Sequence, residues 1–283
     1  MSTLAMHRTL ALTRLELSDA LRSRWLQFTV VIDALVFGVF VWLGLRESSV
    51  LGFTGLSRVL LHMANATVIA VPLVALVATC QAVARARTTG HLELLLSQPV
   101  RRSEWFASLL TARLVVLLGP LLALIALTGL AGLLLGGRDA ALGPMALHAL
   151  LVSTTLLWAY VGIGLLVSAY SRTLERAVVL ALLAWLLSAA LHDFALIGLL
   201  LQWRLPPALV FGLAALNPVE AARIAVLSTV DPELSVLGPV GFFIANELGP
   251  RLAYTLGLLW PAVVGSVSLL VAARHLRRSD AVA

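Results

Sequence analysis

The sequence predicts an all-α, polytopic membrane protein with six transmembrane helices. Of its 283 residues, 60% are hydrophobic and 12% are charged, and the mean hydropathy is +1.00. In a globular domain about half the residues are apolar and about a quarter are charged. A helix needs about 20 mostly apolar residues to cross roughly 30 Å of hydrocarbon. The apolar runs give six such spans, at about 26–45, 61–84, 103–135, 145–170, 177–201 and 252–272.

Residues 1–25 precede the first span and predict an amphipathic helix that lies in the membrane interface. Leucines recur at helical spacing, and charged or polar residues fall on the opposite side of the helix. We expect the aromatic residue at its end to sit at headgroup level. A solvated helix is the alternative. The residues assigned to the interface are Glu16, Asp19, Arg22, Arg24 and Trp25, and residues 26–283 form the transmembrane domain.

Residues 85–105, between the second and third spans, carry four arginines and predict an elbow that cannot cross the membrane. Gly90 can restart a helix, Pro99 stops one, and 91–96 predicts a short amphipathic helix. Six helical residues are unstable alone, so we expect this helix to dock into a partner's groove. An ordinary loop helix lying on lipid headgroups is the alternative. The expected docking residues are Gly90, His91, Leu92, Glu93, Leu94, Leu95, Pro99, Arg101 and Arg102, with Leu92, Leu94 and Leu95 as apolar anchors.

Residues 202–250, between the fifth and sixth spans, predict a string of short helices. Four X-Pro steps occur there, and proline is well tolerated at the first position of a helix. Asn217 and Glu220 are three residues apart in the form of a capping box. The helices are too broken to span and too apolar for water, so we expect them to be re-entrant or to lie in the interface. The residues assigned to this segment are Asn217, Pro218, Glu220 and Arg223.

The arginines predict the orientation of the spans. The sequence has no lysine, and thirteen of its arginines fall on one side of the predicted topology against six on the other. Cytoplasmic loops carry the excess of positive charge in membrane proteins. We therefore expect both termini in the cytoplasm and residues 202–250 at the outer face. The charge of +6 then reflects sidedness, and nucleic acid is not expected as a partner.

Catalysis gains little support, because no metalloprotease, nucleophile-elbow or phosphate-loop motif occurs. The intramembrane polar residues are Asp33, His192 and Asp193, and each is a candidate functional group. Adjacent residues point about 100° apart on a helix, so His192 and Asp193 cannot both face one partner. A local helix break or a polar vestibule is the alternative to a proton relay. No metal site is expected, since no His or Cys pair has ligand spacing within a span.

Two stretches around the first spans, 16–25 and 90–104, resemble the ABC-2 type permeases, as does the order of the spans. Within that family, 216–223 is similar to permeases of nitrous-oxide-reductase maturation systems. The resemblance implies a half-transporter in the bacterial inner membrane that forms a homodimer and binds two copies of a separate cytoplasmic ATPase. ATP and Mg would be held by that ATPase, and no cofactor by this chain. The elbow would be the coupling helix, and the outer helices would face a periplasmic partner.

The sequence departs from the family at the elbow. Arg85 and Arg87 stand where acidic residues are common, and His91 replaces a threonine. These departures leave open which ATPase and which pathway the chain serves. The expected mechanism is that ATPase closure moves the elbow, and that spans one, two and five then shift. Three alternatives remain: an intramembrane enzyme using Asp33, His192 and Asp193, an ion-driven secondary transporter, and an exporter of a drug, lipid or other small molecule.

Overall fold

A computed structural model describes residues 3–22, 27, 31, 34–35, 55–135, 142–203, 205–230, 234 and 238–278. Helices dominate the described residues, which include no β-strand. Predicted span one, 26–45, lies outside them except at four helical positions, and so do Asp33, Arg24 and Trp25.

The helices of the described residues follow the predicted order. They are α1 (Thr3–Arg22), α2 (Gly55–Thr79), α3 (Ala82–Thr88), α4 (His91–Leu96), α5 (Arg102–Leu135), α6 (Leu142–Tyr170), α7 (Leu174–Leu186), α8 (His192–Gln202), α9 (Pro207–Leu216), α10 (Pro218–Val230), α11 (Gly238–Phe243) and α12 (Pro250–Arg278). A π-helical turn, Leu187–Leu191, joins α7 to α8, and a second, Ile244–Leu248, follows α11.

Five described stretches are long and apolar enough to cross a membrane, which confirms predicted spans two to six. They are Ala66–Thr88, Arg102–Ala123, Ala146–Tyr170, Leu174–Leu199 and Pro250–Arg278. A sixth candidate arises only if α9 and α10 count as one span. Those two helices are bent by 115° at the break between them, as in a broken span or a re-entrant loop.

Two helix boundaries differ from the sequence prediction. Span two was expected to continue to about residue 84, but α2 ends at Thr79 and the chain restarts as α3 after a turn. Span three was predicted from about residue 103, and α5 begins one residue earlier, at Arg102. The backbone N–H of Arg101 donates to Glu104 Oε2 (3.1 Å). A carboxylate therefore satisfies an amide at this helix start, where negative charge is favourable.

Helix α6 lies at the centre of the bundle and packs against α2, α10 and α12. Small residues bring the α6 and α12 backbones close together, as is common between membrane helices. A Cβ atom on Gly162 would lie 2.6 Å from the carbonyl oxygen of Gly265, and one on Gly265 would lie 2.7 Å from the carbonyl oxygen of Trp158. Glycine is therefore required on both sides of this contact.

Replacing Gly265 by alanine is expected to lower the free energy of unfolding by about 2 kcal/mol, because overpacking a tight contact costs roughly 1–3 kcal/mol. The matched control is Gly198→Ala in α8, where an added Cβ meets nothing within 4 Å. Thermal unfolding in detergent micelles measures both variants. Equal melting temperatures for the two variants would contradict the proposed tight contact.

The fifth span, α7 with α8, lies at the edge of the described bundle. Only 11% of its apolar stretch is buried, against 56% for α6. Its outward side chains include Val179, Leu183 and Phe194. This face is accordingly open to lipid or to another subunit.

Candidate functional site

The two ends of the bundle carry different chemistry. At one end lie the elbow, the start of α5 and α7, and the C-terminal ends of α6 and α12. This end holds most of the arginines of the described residues. At the other end lie the bent pair α9–α10 and helix α11, and here charged side chains form a cluster. Functional residues were predicted at both ends.

The elbow consists of two short helices joined at a glycine. Gly90 has φ +70° and ψ +2°, a left-handed conformation that suits glycine, and α4 starts directly after it. The backbone N–H of Gly90 donates to the carbonyl oxygen of Arg87 (3.1 Å), and that of Leu94 donates to Gly90 (3.1 Å). The predicted restart at Gly90 and the short helix 91–96 are both present in the structure.

Hydrogen bonds attach the elbow to the ends of α6 and α12. Ser168 Oγ accepts from the backbone N–H groups of Val83 (2.9 Å) and Ala84 (3.2 Å), and so supplies a cap for α3 from another helix. The guanidinium group of Arg87 donates to the carbonyl oxygen of Ala169 (2.8 Å). Each bond joins residues more than eighty positions apart. The elbow is thus bound to the C-terminal end of α6.

The end of α12 is joined to the same structure. Arg102 donates to the carbonyl oxygen of Leu276 (2.9 Å), and the rings of Tyr170 and His275 stack with centroids 3.9 Å apart. Cationic groups at a helix C-terminus satisfy carbonyls that have no partner within the helix. These contacts join the elbow to α6 and α12, which are not among the spans one, two and five predicted to move.

Replacing Ser168 by alanine is expected to lower the free energy of unfolding by about 2 kcal/mol, because two buried amides lose their acceptor and each unpaired buried group costs roughly 1–3 kcal/mol. Ser97→Ala is the matched control. Ser97 is exposed, and its hydroxyl bonds only to the local carbonyl of Leu94 (2.7 Å). Melting temperatures in detergent measure both variants. A Ser168→Ala variant as stable as the parent would contradict the role of Ser168 as the cap of α3.

The leucines of α4 do not share one face. Leu92 and Leu95 are each 5% exposed and pack inside this chain, whereas Leu94 is 63% exposed. Residues three apart lie on the same side of a helix, and the residue between them points away. Two of the three expected anchors are thus core residues, and Leu94 alone among them is available to a partner. Glu93, Pro99 and Arg101 are exposed beside it, His91 is half-buried, and Arg102 is held by the contact described above.

Helix α1 packs along α5 through a buried polar contact. Trp105 is 2% exposed, and its indole N–H donates to Glu16 Oε1 (2.9 Å). Glu16 was assigned to the interface, but it is 8% exposed and points into the bundle. The indole donor makes burial of that carboxylate possible. Asp19 and Arg22 are exposed, as that assignment requires.

The end opposite the elbow, predicted to face outward, holds a cluster of charged residues, called here the outer cluster: Asp193, Glu220 and Arg223. Arg223 Nη1 lies 3.0 Å from Asp193 Oδ2 and 2.8 Å from Glu220 Oε1. Asp193 belongs to α8 and the other two residues to α10, so the arginine joins the end of span five to the bent pair. The side chains are at most 30% exposed.

Asn217 lies at the bend between α9 and α10 and bonds in two directions. Its Oδ1 accepts from the backbone N–H of Val219 (3.0 Å), and its Nδ2 donates to the carbonyl oxygen of Ser188 in the π-helical turn (2.6 Å). Helix α10 starts at Pro218, as predicted. Of the predicted capping box, the structure shows the Asn217 bond, whereas the Glu220 carboxylate pairs with Arg223.

His192 and Asp193 do not form one site. Asp193 bonds to Arg223, whereas His192 Nε2 is buried with no hydrogen-bond partner in the described part of the chain. The expected local break is present as the π-helical turn Leu187–Leu191, directly before His192. No group of three or more His, Cys, Asp or Glu residues that could hold a metal ion occurs among the described residues. The arrangement suits a structural link between helices.

Sequence reasoning missed several of these contacts. The pair Glu220–Arg223 has the i, i+3 spacing typical of helical ion pairs and could have been found from it. Ser168, Tyr170 and His275 carry no signal in the sequence, since their partners come from distant helices.

A family model described as "ABC-2 family transporter protein" matches residues 10–249. The chain is 29% identical to the "Probable ABC transporter permease protein NosY" of Stutzerimonas stutzeri over 284 residues, which cover 96% of this chain and 99% of that protein. It is 30% identical to the protein of the same name from Pseudomonas aeruginosa over 236 residues, 78% of this chain and 82% of that protein.

Proposed function

This chain belongs to the ABC-2 family of transporter proteins, and we propose that it couples a separate cytoplasmic ATPase to movements of its membrane helices. As a multi-pass protein of this family it is a transmembrane permease of an ABC transporter, similar to permeases named NosY. In this proposal ATP and Mg are bound by the ATPase, and the permease supplies the element that the ATPase moves.

One observation carries the proposal, namely that α4 is held from inside and open on its outer side. Leu92 and Leu95 pack into the bundle, and Leu94 is exposed beside Glu93. A short helix fixed in this way presents an apolar knob with a charged rim to a groove on a partner. The attachments of Ser168, Arg87 and Arg102 would pass a displacement of α4 to α6 and α12.

The proposed orientation places the elbow in the cytoplasm of a bacterium, with both termini on the same side. The support is that arginines concentrate at the elbow end of the described bundle, as expected for cytoplasmic ends in the inner membrane. The bent pair α9–α10 then faces outward. It would contact a periplasmic partner if the chain serves a maturation system like that of its relatives.

The proposed assembly is a dimer of two permease copies with two ATPase subunits. The fifth span supports this assembly, because its outward apolar face is buried little within the described chain. The second candidate function, export of a small molecule, uses the same assembly. The outer cluster favours transfer of a displacement to an outer-face partner over export of a small molecule. A charged link between helices at that end suits transfer of a displacement better than it suits an apolar path for a small molecule.

The test is co-purification of an ABC ATPase subunit with the tagged permease from solubilised membranes. Replacing Leu94 by aspartate is expected to reduce the ATPase recovered with the tagged permease at least tenfold, because a charge would have to enter an apolar groove. Leu94→Met keeps the volume and the apolar character, and we expect it to retain the ATPase. Quantitative immunoblotting of the eluate gives the ratio of the two subunits.

The folding of the variants is the necessary control. Leu94 is exposed, so the melting temperatures of Leu94→Asp and of the parent are expected to agree within about 2 °C. Full recovery of the ATPase with a stably folded Leu94→Asp chain would overturn the proposed coupling role. A third protein in the eluate with a periplasmic signal sequence would favour a maturation system over an exporter.

A further inference from the structure

A cavity of about 840 Å³ opens at the elbow end between α1, α2, α3, α4 and α5. Its volume falls in the range of small-molecule sites, roughly 300–1,000 Å³. The charged part of its lining includes Arg22 and Asp19 of α1 and Arg85 of α3. Its wall also includes apolar side chains of two spans, among them Val77 and Val116. The lining is thus polar in one part and apolar in another.

Arg113 lines the cavity together with Glu16 and Asp19, whose charges act on it without forming a direct ion pair. Neither of the ion pairs found among the described residues involves Arg113, and its Nε has no hydrogen-bond partner there. It lies eleven residues after the start of α5, about 16 Å along the helix at 1.5 Å per residue. The sequence suggested that Arg113 reaches back to the interface. A guanidinium at this depth requires an anion or water, because an unpaired charge there is costly.

The other charged residues of the cavity leave an excess of positive charge. Three arginines face two carboxylates, Glu16 and Asp19, and Glu16 already accepts a hydrogen bond from Trp105. Arg85 donates one N–H to Gln81 Oε1 (3.0 Å) and keeps further donors, because a guanidinium has five. The cavity therefore matches one additional negative charge that can accept several N–H groups. A phosphate diester has this chemistry.

We propose that the cavity binds the headgroup of an anionic phospholipid from the leaflet at the elbow end. Its phosphate would pair with Arg113 and Arg85, and its acyl chains would follow the apolar wall formed by α2 and α5. A lipid is favoured over a soluble anion because the wall beside Arg113 is apolar, including Val116 and Leu117. Leu94 also lines this cavity, but the proposal uses only Arg113, Arg85 and the apolar wall, so its test does not depend on whether an ATPase binds at Leu94.

The experiment is native mass spectrometry of the full chain in detergent, titrated separately with phosphatidylglycerol and phosphatidylcholine. We expect the parent to retain phosphatidylglycerol, and Arg113→Gln to reduce its retention roughly five- to tenfold, since each arginine near anionic lipid contributes on the order of 1 kcal/mol. Arg113→Lys keeps the charge and is expected to restore part of the binding. The matched control is Arg176→Gln, an exposed arginine at the same end and outside the cavity.

Two further arms distinguish the source of the phosphate and guard against misfolding. Inorganic phosphate and the soluble headgroup glycerophosphoglycerol are added to the parent, and neither is expected to displace the lipid at millimolar concentration. Arg85→Gln provides a second cavity variant if Arg113→Gln unfolds. Equal retention of the two lipids, displacement by inorganic phosphate, or equal losses in Arg85→Gln and Arg176→Gln would each overturn the proposal.

Discussion

Replacing Arg223 by methionine is expected to lower the free energy of unfolding by about 2–3 kcal/mol, less than the roughly 3–5 kcal/mol lost when one partner leaves a fully buried ion pair, because these side chains are 12–30% exposed. Arg223 lies within 3.0 Å of both Asp193 and Glu220, so its loss leaves two carboxylates without a counter-charge. Methionine keeps much of the volume but donates no hydrogen bond. Thermal unfolding in detergent, followed by circular dichroism, measures the loss.

Neutralising the two acids tests the cause of that loss. The triple variant Asp193→Asn, Glu220→Gln, Arg223→Met carries no charge in the outer cluster and is expected to recover more than half of the lost stability. Arg251→Gln, an exposed arginine near the start of α12, is the control and is expected to change stability by less than about 0.5 kcal/mol. A triple variant no more stable than Arg223→Met would show that charge is not the cause.

Replacing Trp105 by alanine is expected to cost about 3–5 kcal/mol, the usual range for truncating a buried tryptophan. The indole is 2% exposed and holds the Glu16 carboxylate, so the variant combines a cavity with an unpaired buried acceptor. Because α1 packs on α5, we expect α1 to detach before the spans unfold. Limited trypsin digestion, read as cleavage after Arg14 or Arg22, reports that detachment.

The matched variant Trp105→Phe separates packing from hydrogen bonding. Phenylalanine fills most of the space but cannot donate to Glu16, so we expect a loss of about 1–2 kcal/mol. The double variant Glu16→Gln, Trp105→Phe is expected to have nearly the same free energy of unfolding as Trp105→Phe, with any gain limited to a few tenths of a kcal/mol. The reason is that Gln keeps a polar group in the same place. If trypsin cleaves Trp105→Ala only as slowly as it cleaves the parent, then Trp105 does not hold α1 against α5.

The spans could be predicted because hydrocarbon thickness sets their length and an apolar run of that length is a strong signal. The positions of short helices in the elbow and in the outer segment could also be predicted, since Gly90 and Pro218 mark their starts. The break between α2 and α3 could not. No glycine or proline occurs at Cys80 or Gln81, and the acceptor that caps α3 is Ser168, 85 positions away.

Site residues were predicted less completely than spans, because tertiary packing chooses which face of a helix is buried. The spacing of Leu92 and Leu95 places them together, but it does not say whether that face meets this chain or a partner. Glu16 was assigned to the polar face of an interfacial helix, and only the position of Trp105 explains its burial. Asp33, the charged residue of span one, lies outside the described residues, so its role remains a prediction.

The link between Asp193 and Arg223 also sets an order of events during synthesis. The two residues are 30 positions apart, so a ribosome adding 5–20 residues per second makes the arginine roughly 2–6 s after the aspartate. During that interval the Asp193 carboxylate cannot pair with Arg223. Arg223, in contrast, is made with Glu220 three positions ahead of it. The link between span five and the bent pair therefore forms only after α10 has been made, and a chain truncated before Arg223 would lack it.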